Sequence, residues 1–477
     1  MEKTQINTNI SASAKSYSNI LPSFYLGLSL CLFQIAFTWL FAPKDPRPLT
    51  QYYQMEVAPD WDIQSSPNPF LNGYQRFNNW DSLRFFEIAQ NGYHLPADGK
   101  PIENSDIHQY RANITNLPTY PLLTRYIQET FHLPAQYALL VAAQLACFIF
   151  WFYFSLFFLD RNFTKKEALV AAITFGFAPG AFYLVCGYSE STLLAAAMGL
   201  IYWTDRFMSQ LRKRSEATQN LKINDNQHHR QLPTPLKNKT IVEAISWIAI
   251  AAHGFLATFS RLPAIPLAIY PFLKNVFIPT SRPANIMLRT NPTFYLNGII
   301  LSLLSSSGLI AFFFFCQYKF GSWDIYFHLS KLVGQQPDYW AIFKPSSYIP
   351  KFFFEDTQLS MNRAMVPWLV AIAGIALRLD LQKARRLPLY IIAAGLFYIT
   401  VAGKSGGGMD GMIRYALPIY LPLVLCLATV IKECDTARTL PKMISKKNTW
   451  WIAVFYLFSL SCQAWCAYRY LHGKWVS

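Results

Sequence analysis

The stretch that decides the fold is PAQYALLVAAQLACFIFWFYFSLFF, residues 134–158, which contains no charged residue. A transmembrane helix needs about 20 consecutive, mainly apolar residues, so this stretch predicts a membrane-spanning helix. The whole chain has a matching composition, since 53% of its 477 residues are hydrophobic and only 14% are charged. Soluble domains carry roughly 25% charged residues. The sequence therefore predicts an all-α integral membrane protein.

Similar apolar runs recur along the chain and predict a bundle of about eleven spans. The predicted spans are 20–42, 134–158, 166–184, 190–207, 241–260, 262–279, 295–318, 363–379, 387–402, 413–431 and 449–468. The first run is too long for the core of a signal peptide and lacks a small-residue cleavage site, so we interpret it as a retained span. Prolines 179, 263, 266 and 418 are tolerable because neighbouring helices can satisfy the freed carbonyls.

The basic residues set the predicted orientation. The formal net charge is +16, and more than half of the Lys and Arg residues lie in alternate connecting segments such as 205–240 and 432–448. Cytoplasmic loops are enriched in Lys and Arg, so we expect the N-terminus inside and the C-terminus outside. The positive charge does not indicate a nucleic-acid partner, because no basic stripe is interleaved with aromatic residues of the kind that binds single strands.

The segments between the spans divide the chain into three parts. We predict a cytoplasmic tail (1–19), a catalytic membrane domain (20–431) and a basic inner loop with the last helix (432–477). Two large outer loops, 43–133 and 319–362, are rich in aromatic residues and proline, and we expect them to contain short helices along the membrane surface. The polar inner loop 205–240 is predicted to be flexible.

The cysteine and histidine patterns do not predict a metal site or disulfide bonds. The eight cysteines form no CxxC pair, and most lie inside apolar runs. No His/Asp cluster has the spacing of metal ligands, although His108 lies in the first outer loop. We therefore expect no required metal or other cofactor.

The first chemical feature is NNWDSLRFFEIAQNGY, residues 78–93. If residues 80–90 form a helix, Asp81, Arg84 and Glu87 lie on one side and the apolar residues, including Phe85, lie on the other. One interpretation is a helix on the bilayer surface whose charged side faces a cavity. The other is an ordinary interfacial helix with a solvated polar face and Asp81 as its N-cap.

The second feature is FAPGAFYLVCGYSEST, residues 177–192, in which a Pro-Gly pair interrupts an apolar run. Glu190 follows near the predicted outer face. Acidic residues at membrane depth are costly and are usually functional. The alternative is a glutamate at the rim that touches water.

Two basic features lie on the same predicted side. Arg261, in ATFSRLPAIP, can bind a phosphate with its planar fork or extend to lipid headgroups. The glycine-rich segment GKSGGGMDGMIRYALP (403–418) is not a nucleotide-binding loop, because that motif needs glycine where Tyr398 stands. We interpret it as a mobile lid carrying Lys404 and Arg414.

These motifs resemble those of the PIG-V family, the GPI mannosyltransferase 2 type, whose members have the GT-C glycosyltransferase fold. WDSLRFFEIAQNGY resembles the family signature WD-x-x-[H or aromatic]-F-x-x-IA-x-x-GY, and FAPGAFYLVCGYSEST is similar to its FNPAxxFxxxxYSES segment. LPTYPLL (117–123), ATFSRLP and RYALP are weaker matches in the same order. Arg84 stands where members often carry His. The resemblance implies a polytopic GT-C-type bundle and spans residues 80–418.

The resemblance also implies an activity. Such enzymes transfer mannose, with inversion, from a polyprenyl (dolichyl)-phosphate mannose to a lipid-linked or glycan acceptor on the extracytoplasmic or lumenal face. Eukaryotic members add the second mannose of the GPI core, and members also occur in bacteria. The expected location is therefore a bacterial plasma membrane or the endoplasmic reticulum membrane. The acceptor, the oligomeric state and the need for a partner subunit stay open.

We assign expected roles on this basis. Asp81 is the predicted general base. Arg261 and Arg414 are predicted to hold the leaving phosphate, Trp80 and Tyr188 to stack on sugar rings, and Glu190 to bind sugar hydroxyls. The full set of predicted binding residues is Trp80, Arg84, Glu87, His108, Tyr120, Tyr188, Glu190, Arg261, Lys404 and Arg414.

Two other classes of function remain open. A lipid or sugar transporter or flippase also has many spans, but often has matched interrupted helices in two related halves, and the sequence indicates only one such proline-broken region. A non-catalytic subunit of a glycosylation complex keeps the fold and tolerates the loss of Asp81.

Overall fold

The computed structural model describes residues 18–43, 68–94, 113–225, 237–278, 288, 290–332, 337–353, 362–380, 383–404, 412–436 and 446–473. These residues form α-helices and short 3-10 helices, with no strand among them. The helices are α1 (Ile20–Trp39), α2 (Pro69–Gln75), α3 (Ser82–Asn91), α4 (Thr119–Phe131), α5 (Ala135–Leu159), α6 (Lys165–Gly176), α7 (Glu190–Asp225), α8 (Lys237–Ser260), α9 (Ile265–Ala268), α10 (Tyr270–Val276), α11 (Pro292–Phe320), α12 (Ile325–Leu332), α13 (Pro345–Phe353), α14 (Asn362–Leu379), α15 (Lys383–Lys404), α16 (Met412–Tyr415), α17 (Leu417–Thr436) and α18 (Lys446–Leu471).

Six helical stretches within the described ranges are long and apolar enough to cross a membrane. They are Ile20–Trp39, Ala135–Leu159, Ile241–Ser260, Pro292–Phe320, Arg386–Gly403 and Ile413–Glu433. This result agrees with the predicted all-α membrane class. The predicted count of about eleven spans is not confirmed.

Glycines allow the apolar helices to approach closely. Helix α5 packs against α1 and α7, and α8 packs against α7 and α11. A methyl group added at Gly27 of α1 would lie 2.8 Å from the Phe152 nitrogen of α5. At the α8–α11 contact, a methyl group added at Gly254 would collide with Ser305, and one at Gly308 would collide with the Phe255 carbonyl. Small residues of this kind let helix backbones approach in membrane bundles.

The chain breaks after α6 because of Pro179 and Gly180. Helix α6 ends at Gly176, and only a 3-10 turn (Ala181–Leu184) precedes α7. Other helices bind the carbonyls that this break frees. The Gln34 side-chain amide of α1 donates to the Ala181 carbonyl at 2.5 Å, and the Ser459 hydroxyl of α18 donates to the Phe177 carbonyl at 2.5 Å. Such partners make a broken helix tolerable at membrane depth.

Several predicted segments differ from the structure. The predicted spans 166–184 and 262–279 are not continuous helices, because prolines interrupt both. The second is divided into a 3-10 turn (Leu262–Ala264), α9 and α10. The inner loop 205–240, predicted to be flexible, is helical up to Asp225 and again from Lys237. The two outer loops do contain short helices, α2 to α4 in the first and α12 and α13 in the second.

Candidate active site

A cavity of about 360 Å³ lies where both broken regions and both long outer loops meet. Its walls come from α3, the segment before α4, the end of α8, α12, the end of α15 and α16. Its charged lining residues are Asp81, Arg84, Arg261 and Arg414. The structure thus brings together four of the predicted site residues from regions that are distant in the chain.

Asp81 forms an ion pair with Arg414 in this cavity. The Nη2 atom of Arg414 donates to Oδ2 of Asp81 at 2.5 Å. Asp81 occupies the N-cap position of α3, but its side chain makes no capping hydrogen bond. Asp81 thus holds the N-cap position that one interpretation gave it, but its carboxylate pairs with an arginine in the cavity instead of capping the helix.

Glu190 forms the second carboxylate–arginine contact. It is fully buried at the first residue of α7, so it is not a rim residue that touches water. Nη1 of Arg261 donates to Oε1 of Glu190, and Nε of Arg414 lies 3.8 Å from the same oxygen. Oε2 of Glu190 has no hydrogen-bond partner among the described residues. Glu190 therefore links the two arginines from behind the cavity wall.

Two tyrosine rings support the arginine pair. The guanidinium carbons of Arg261 and Arg414 lie 4.5 Å and 5.1 Å from the ring centre of Tyr415. The ring of Tyr188 lies 5.2 Å from the guanidinium carbon of Arg414. Cation–π contacts of this length are attractive. The sequence predicted that Tyr188 stacks on a sugar ring. In the structure Tyr188 is buried, does not line the cavity and contacts Arg414 instead.

The charges around the cavity do not cancel. Three guanidinium groups face the two carboxylates of Asp81 and Glu190, and Arg84 forms no ion pair with another residue that the structure describes. Among these described groups positive charge exceeds negative charge, and this excess favours an anionic ligand. Tyr326 also lines the cavity, and burial raises its pKa to about 12, so its hydroxyl stays neutral at physiological pH.

Uncharged polar groups complete the lining, and sequence reasoning missed them. They are Thr115, Asn116, Ser189, Ser260, Tyr326, Ser330, Tyr339, Tyr398, Thr400 and Tyr415. Of these, Ser189, Ser260 and Tyr415 carried a usable signal, because each adjoins Glu190, Arg261 or Arg414 in a quoted motif. The others lie in segments without a diagnostic pattern. Hydroxyl and amide groups of this kind suit a polyhydroxylated ligand, since each can donate or accept a hydrogen bond.

Other predicted residues lie outside the cavity. Glu87 pairs with His94, with 3.2 Å between Oε1 and Nε2. Tyr120 is fully buried, donates to the Leu139 carbonyl at 2.8 Å and packs edge-on against Phe85. Trp80 is also absent from the lining, whereas Phe85, expected on the opposite side of the helix, is part of it. In the structure, therefore, none of the predicted binding residues Glu87, Tyr120 and Trp80 lines the cavity.

Two predicted residues have no described side chain. His108 lies outside the described residues. Lys404 is the last residue of α15, next to Gly403 in the cavity wall. Within the described part of the chain, no group of three His, Cys, Asp or Glu side chains is placed to hold a metal ion.

A scan against protein-family models finds no match, and a search of curated proteins finds none either. The resemblance to the PIG-V family therefore depends on the quoted motifs alone. The structure adds the relative positions of Asp81, Glu190, Arg261 and Arg414.

Proposed function

We propose that the protein is a membrane mannosyltransferase of the GPI mannosyltransferase 2-like type. Its donor is a polyprenyl-phosphate mannose, and its acceptor is a lipid-linked or glycan hydroxyl at the extracytoplasmic or lumenal face. The observation that supports this proposal best is the pairing of Asp81 with Arg414 in a cavity that also contains Arg84 and Arg261. A general base and an anion-binding group are the two elements that the reaction requires.

Asp81 acts as the general base in this proposal. The acceptor oxygen attacks the anomeric carbon of mannose from the face opposite the phosphate, and the Asp81 carboxylate takes the acceptor proton. The bond from the anomeric carbon to the phosphate oxygen breaks, and the polyprenyl phosphate leaves with that electron pair. General-base catalysis typically contributes 10²–10⁴-fold.

The arginines stabilise the leaving phosphate. Its negative charge grows as the bond breaks, and preorganised donors that face developing charge lower the barrier. Arg261 is positioned to contact the phosphate, because Glu190 and Tyr415 hold its guanidinium group at the cavity wall. Arg84, which pairs with no carboxylate among the described residues, provides further positive charge.

The ion pair between Asp81 and Arg414 requires that the donor binds before Asp81 can act as the base. A carboxylate held by an arginine is a poor base, because the opposite charge favours its ionised form. The phosphate of the donor offers Arg414 an alternative partner. Donor binding then frees Asp81 to accept a proton, so the base becomes active when the donor is in place.

A lipid-phosphate transporter or flippase is the second candidate function. The structure favours it at one point, because two chain segments beside the cavity are interrupted, at residues 177–189 and at residues 261–269. Transporters often use such discontinuous helices at their binding sites. A transporter moves the donor intact, whereas a transferase cleaves the glycosidic bond.

The deciding experiment uses a strain in which the gene is deleted. Its membranes provide the acceptor that lacks one hexose, and they are incubated with purified full-length protein and polyprenyl-phosphate [¹⁴C]mannose. We expect radiolabel in the acceptor fraction and release of polyprenyl phosphate in equal amounts. Movement of intact donor across a proteoliposome membrane without release of polyprenyl phosphate would establish the transporter instead.

A non-catalytic role is tested by complementation of the same deletion strain. If the protein is a subunit that only supports another enzyme, Asp81→Asn restores the missing hexose in the deletion strain as well as the wild type does. Mass analysis of the lipid and glycan fractions measures that restoration. The proposal requires that the wild type restores the species and that Asp81→Asn does not.

A further inference from the structure

The residue before Asp81 has an unusual backbone. Trp80 has φ +56°, in the left-handed region, which bulky side chains rarely occupy. Such a conformation persists only when the surrounding structure imposes it, and it is often found at functional sites. Since α3 begins directly after Asp81, the turn at Trp80 determines where the carboxylate lies.

The residues just before Trp80 are hydrogen-bonded to the last helix. The Tyr470 hydroxyl of α18 accepts from the Asn79 backbone N–H at 3.1 Å and donates to the Phe77 carbonyl at 3.1 Å. The Asn79 side-chain amide donates to the Tyr470 carbonyl at 2.9 Å and to the Arg76 carbonyl at 2.8 Å. Asn79 and Tyr470 are both buried, so water does not replace these bonds when they are lost.

The same turn is joined to Arg414 through Tyr188. The Asn79 carbonyl accepts from the Tyr188 hydroxyl at 3.0 Å and from the Ser82 hydroxyl at 2.8 Å. The Tyr188 ring contacts the ring of Tyr470 at 5.8 Å and the guanidinium group of Arg414 at 5.2 Å. Tyr470 therefore contacts, directly or through Tyr188, the segments that present both members of the ion pair.

We propose that Tyr470 and Asn79 are positioning residues for Asp81. They hold Trp80 in its left-handed conformation, and this places the Asp81 carboxylate within reach of Arg414 and of the acceptor hydroxyl. This inference rests on the proposed function. It gives a role to the C-terminal helix, which contributes no residue to the cavity lining.

The test is a double-mutant cycle between Tyr470→Phe and Trp80→Gly. Tyr470→Phe removes only the hydroxyl group, and we expect kcat for mannose transfer to fall about tenfold, the effect of losing hydrogen bonds to buried groups. The KM for polyprenyl-phosphate mannose does not rise, because Arg261 and Glu190 are not disturbed and a displaced Asp81 competes less with the donor for Arg414. Glycine adopts positive φ without a steric penalty, so in the Trp80→Gly background the same change costs only about twofold.

The cycle separates positioning from general packing. If Tyr470 only holds α18 in the bundle, its loss lowers kcat equally in both backgrounds, and that result would overturn the inference. Rates are normalised to monodisperse protein measured by size-exclusion chromatography. Tyr468→Phe, on the same helix and 39% exposed, is the matched control and should leave kcat unchanged.

A second measurement does not depend on mannose transfer. Asp81→Cys introduces a thiol at the turn, and its modification rate by a small water-soluble thiol reagent is measured, with the unmodified protein as background. Adding Tyr470→Phe should raise this rate severalfold, because the turn opens more often. An unchanged rate refutes the positioning role, even if the wild type transfers no mannose and the proposed function is itself wrong.

Discussion

Arg414 and Asp81 are 333 positions apart in the sequence, yet their side chains are joined by a hydrogen bond of 2.5 Å. The contact unites the start of α3 with the short helix α16. It explains how two motifs at opposite ends of the chain form one site. It also means that the predicted base is occupied until another anion takes Arg414.

Asp81→Asn is therefore expected to lower both kcat and the donor KM. We expect kcat for mannose transfer to fall about 10²–10⁴-fold, because the amide cannot accept the acceptor proton. We expect the KM for polyprenyl-phosphate mannose to fall as well, because Arg414 no longer has to leave a carboxylate. Initial rates at varied donor concentration measure both. Asp324→Asn, at a residue that pairs with His328 outside the cavity, is the control, and near-normal kcat for Asp81→Asn would remove Asp81 from the base role.

The buried contact of Arg261 with Glu190 predicts that a second substitution restores thermal stability to an Arg261 variant without restoring donor binding. Arg261→Ala leaves Glu190 charged and without its main partner, which costs about 3–5 kcal/mol of stability in a buried pair. Adding Glu190→Gln removes that charge, so the double variant regains much of the lost thermal stability. We expect donor KM to stay raised at least tenfold in both variants, because the guanidinium proposed to bind the phosphate is absent.

Thermal denaturation in detergent and donor KM test this pair of variants. Arg125→Ala is the matched control, because Arg125 is exposed and its ion pair is with Glu129, one helical turn away. If the double variant binds donor like the wild type, the phosphate-binding role of Arg261 is refuted. If it is no more stable than Arg261→Ala, the assignment of Glu190 as the charge that Arg261 compensates is wrong.

Gly187 permits the segment before α7 to lie against the turn that carries Asp81. Its backbone N–H donates to the Phe77 carbonyl at 3.0 Å, and a methyl group added at Gly187 would collide with Oδ1 of Asn78. Gly187→Ala should therefore cost about 1–3 kcal/mol through overpacking and lower mannose transfer. Gly374→Ala, in α14 where an added methyl group meets nothing within 4 Å, should be neutral or stabilising by up to about 1 kcal/mol. Equal melting temperatures for the two variants would contradict this account.

The sequence was informative where a single local pattern determines the structure. The uncharged run at 134–158 predicts a spanning helix, and the structure has α5 at Ala135–Leu159. The charged stretch around Asp81 predicts a short helix, and α3 begins at Ser82. In both cases apolar periodicity and length are sufficient, because the helix satisfies its own backbone hydrogen bonds.

Sequence reasoning failed where the outcome depends on distant partners. Proline within an apolar run is compatible with either a kinked or a divided helix, and the contacts of Arg261 with Glu190 and Tyr415 at the division join residues that are distant in the sequence. The bonds between Asn79 and Tyr470 join residues 391 positions apart, and no local pattern encodes them. The contact of Tyr188 with Arg414 also joins residues that are distant in the sequence. Because no local pattern encodes it, Tyr188 was expected to stack on a sugar.

Gln34 gives a prediction about the broken region itself. Its amide donates to the Ala181 carbonyl, and its side-chain oxygen accepts from Nε1 of Trp151 at 3.2 Å. Gln34→Leu removes both bonds and leaves two buried polar groups unpaired, each of which costs about 1–3 kcal/mol. We expect a clear fall in the melting temperature in detergent and a smaller fall in mannose transfer, because the 3-10 turn lies behind the cavity and not in it. Leu32→Ala, on the exposed face of the same helix, should change neither quantity. A Gln34→Leu variant as stable as the wild type would show that this side chain does not stabilise the interrupted segment.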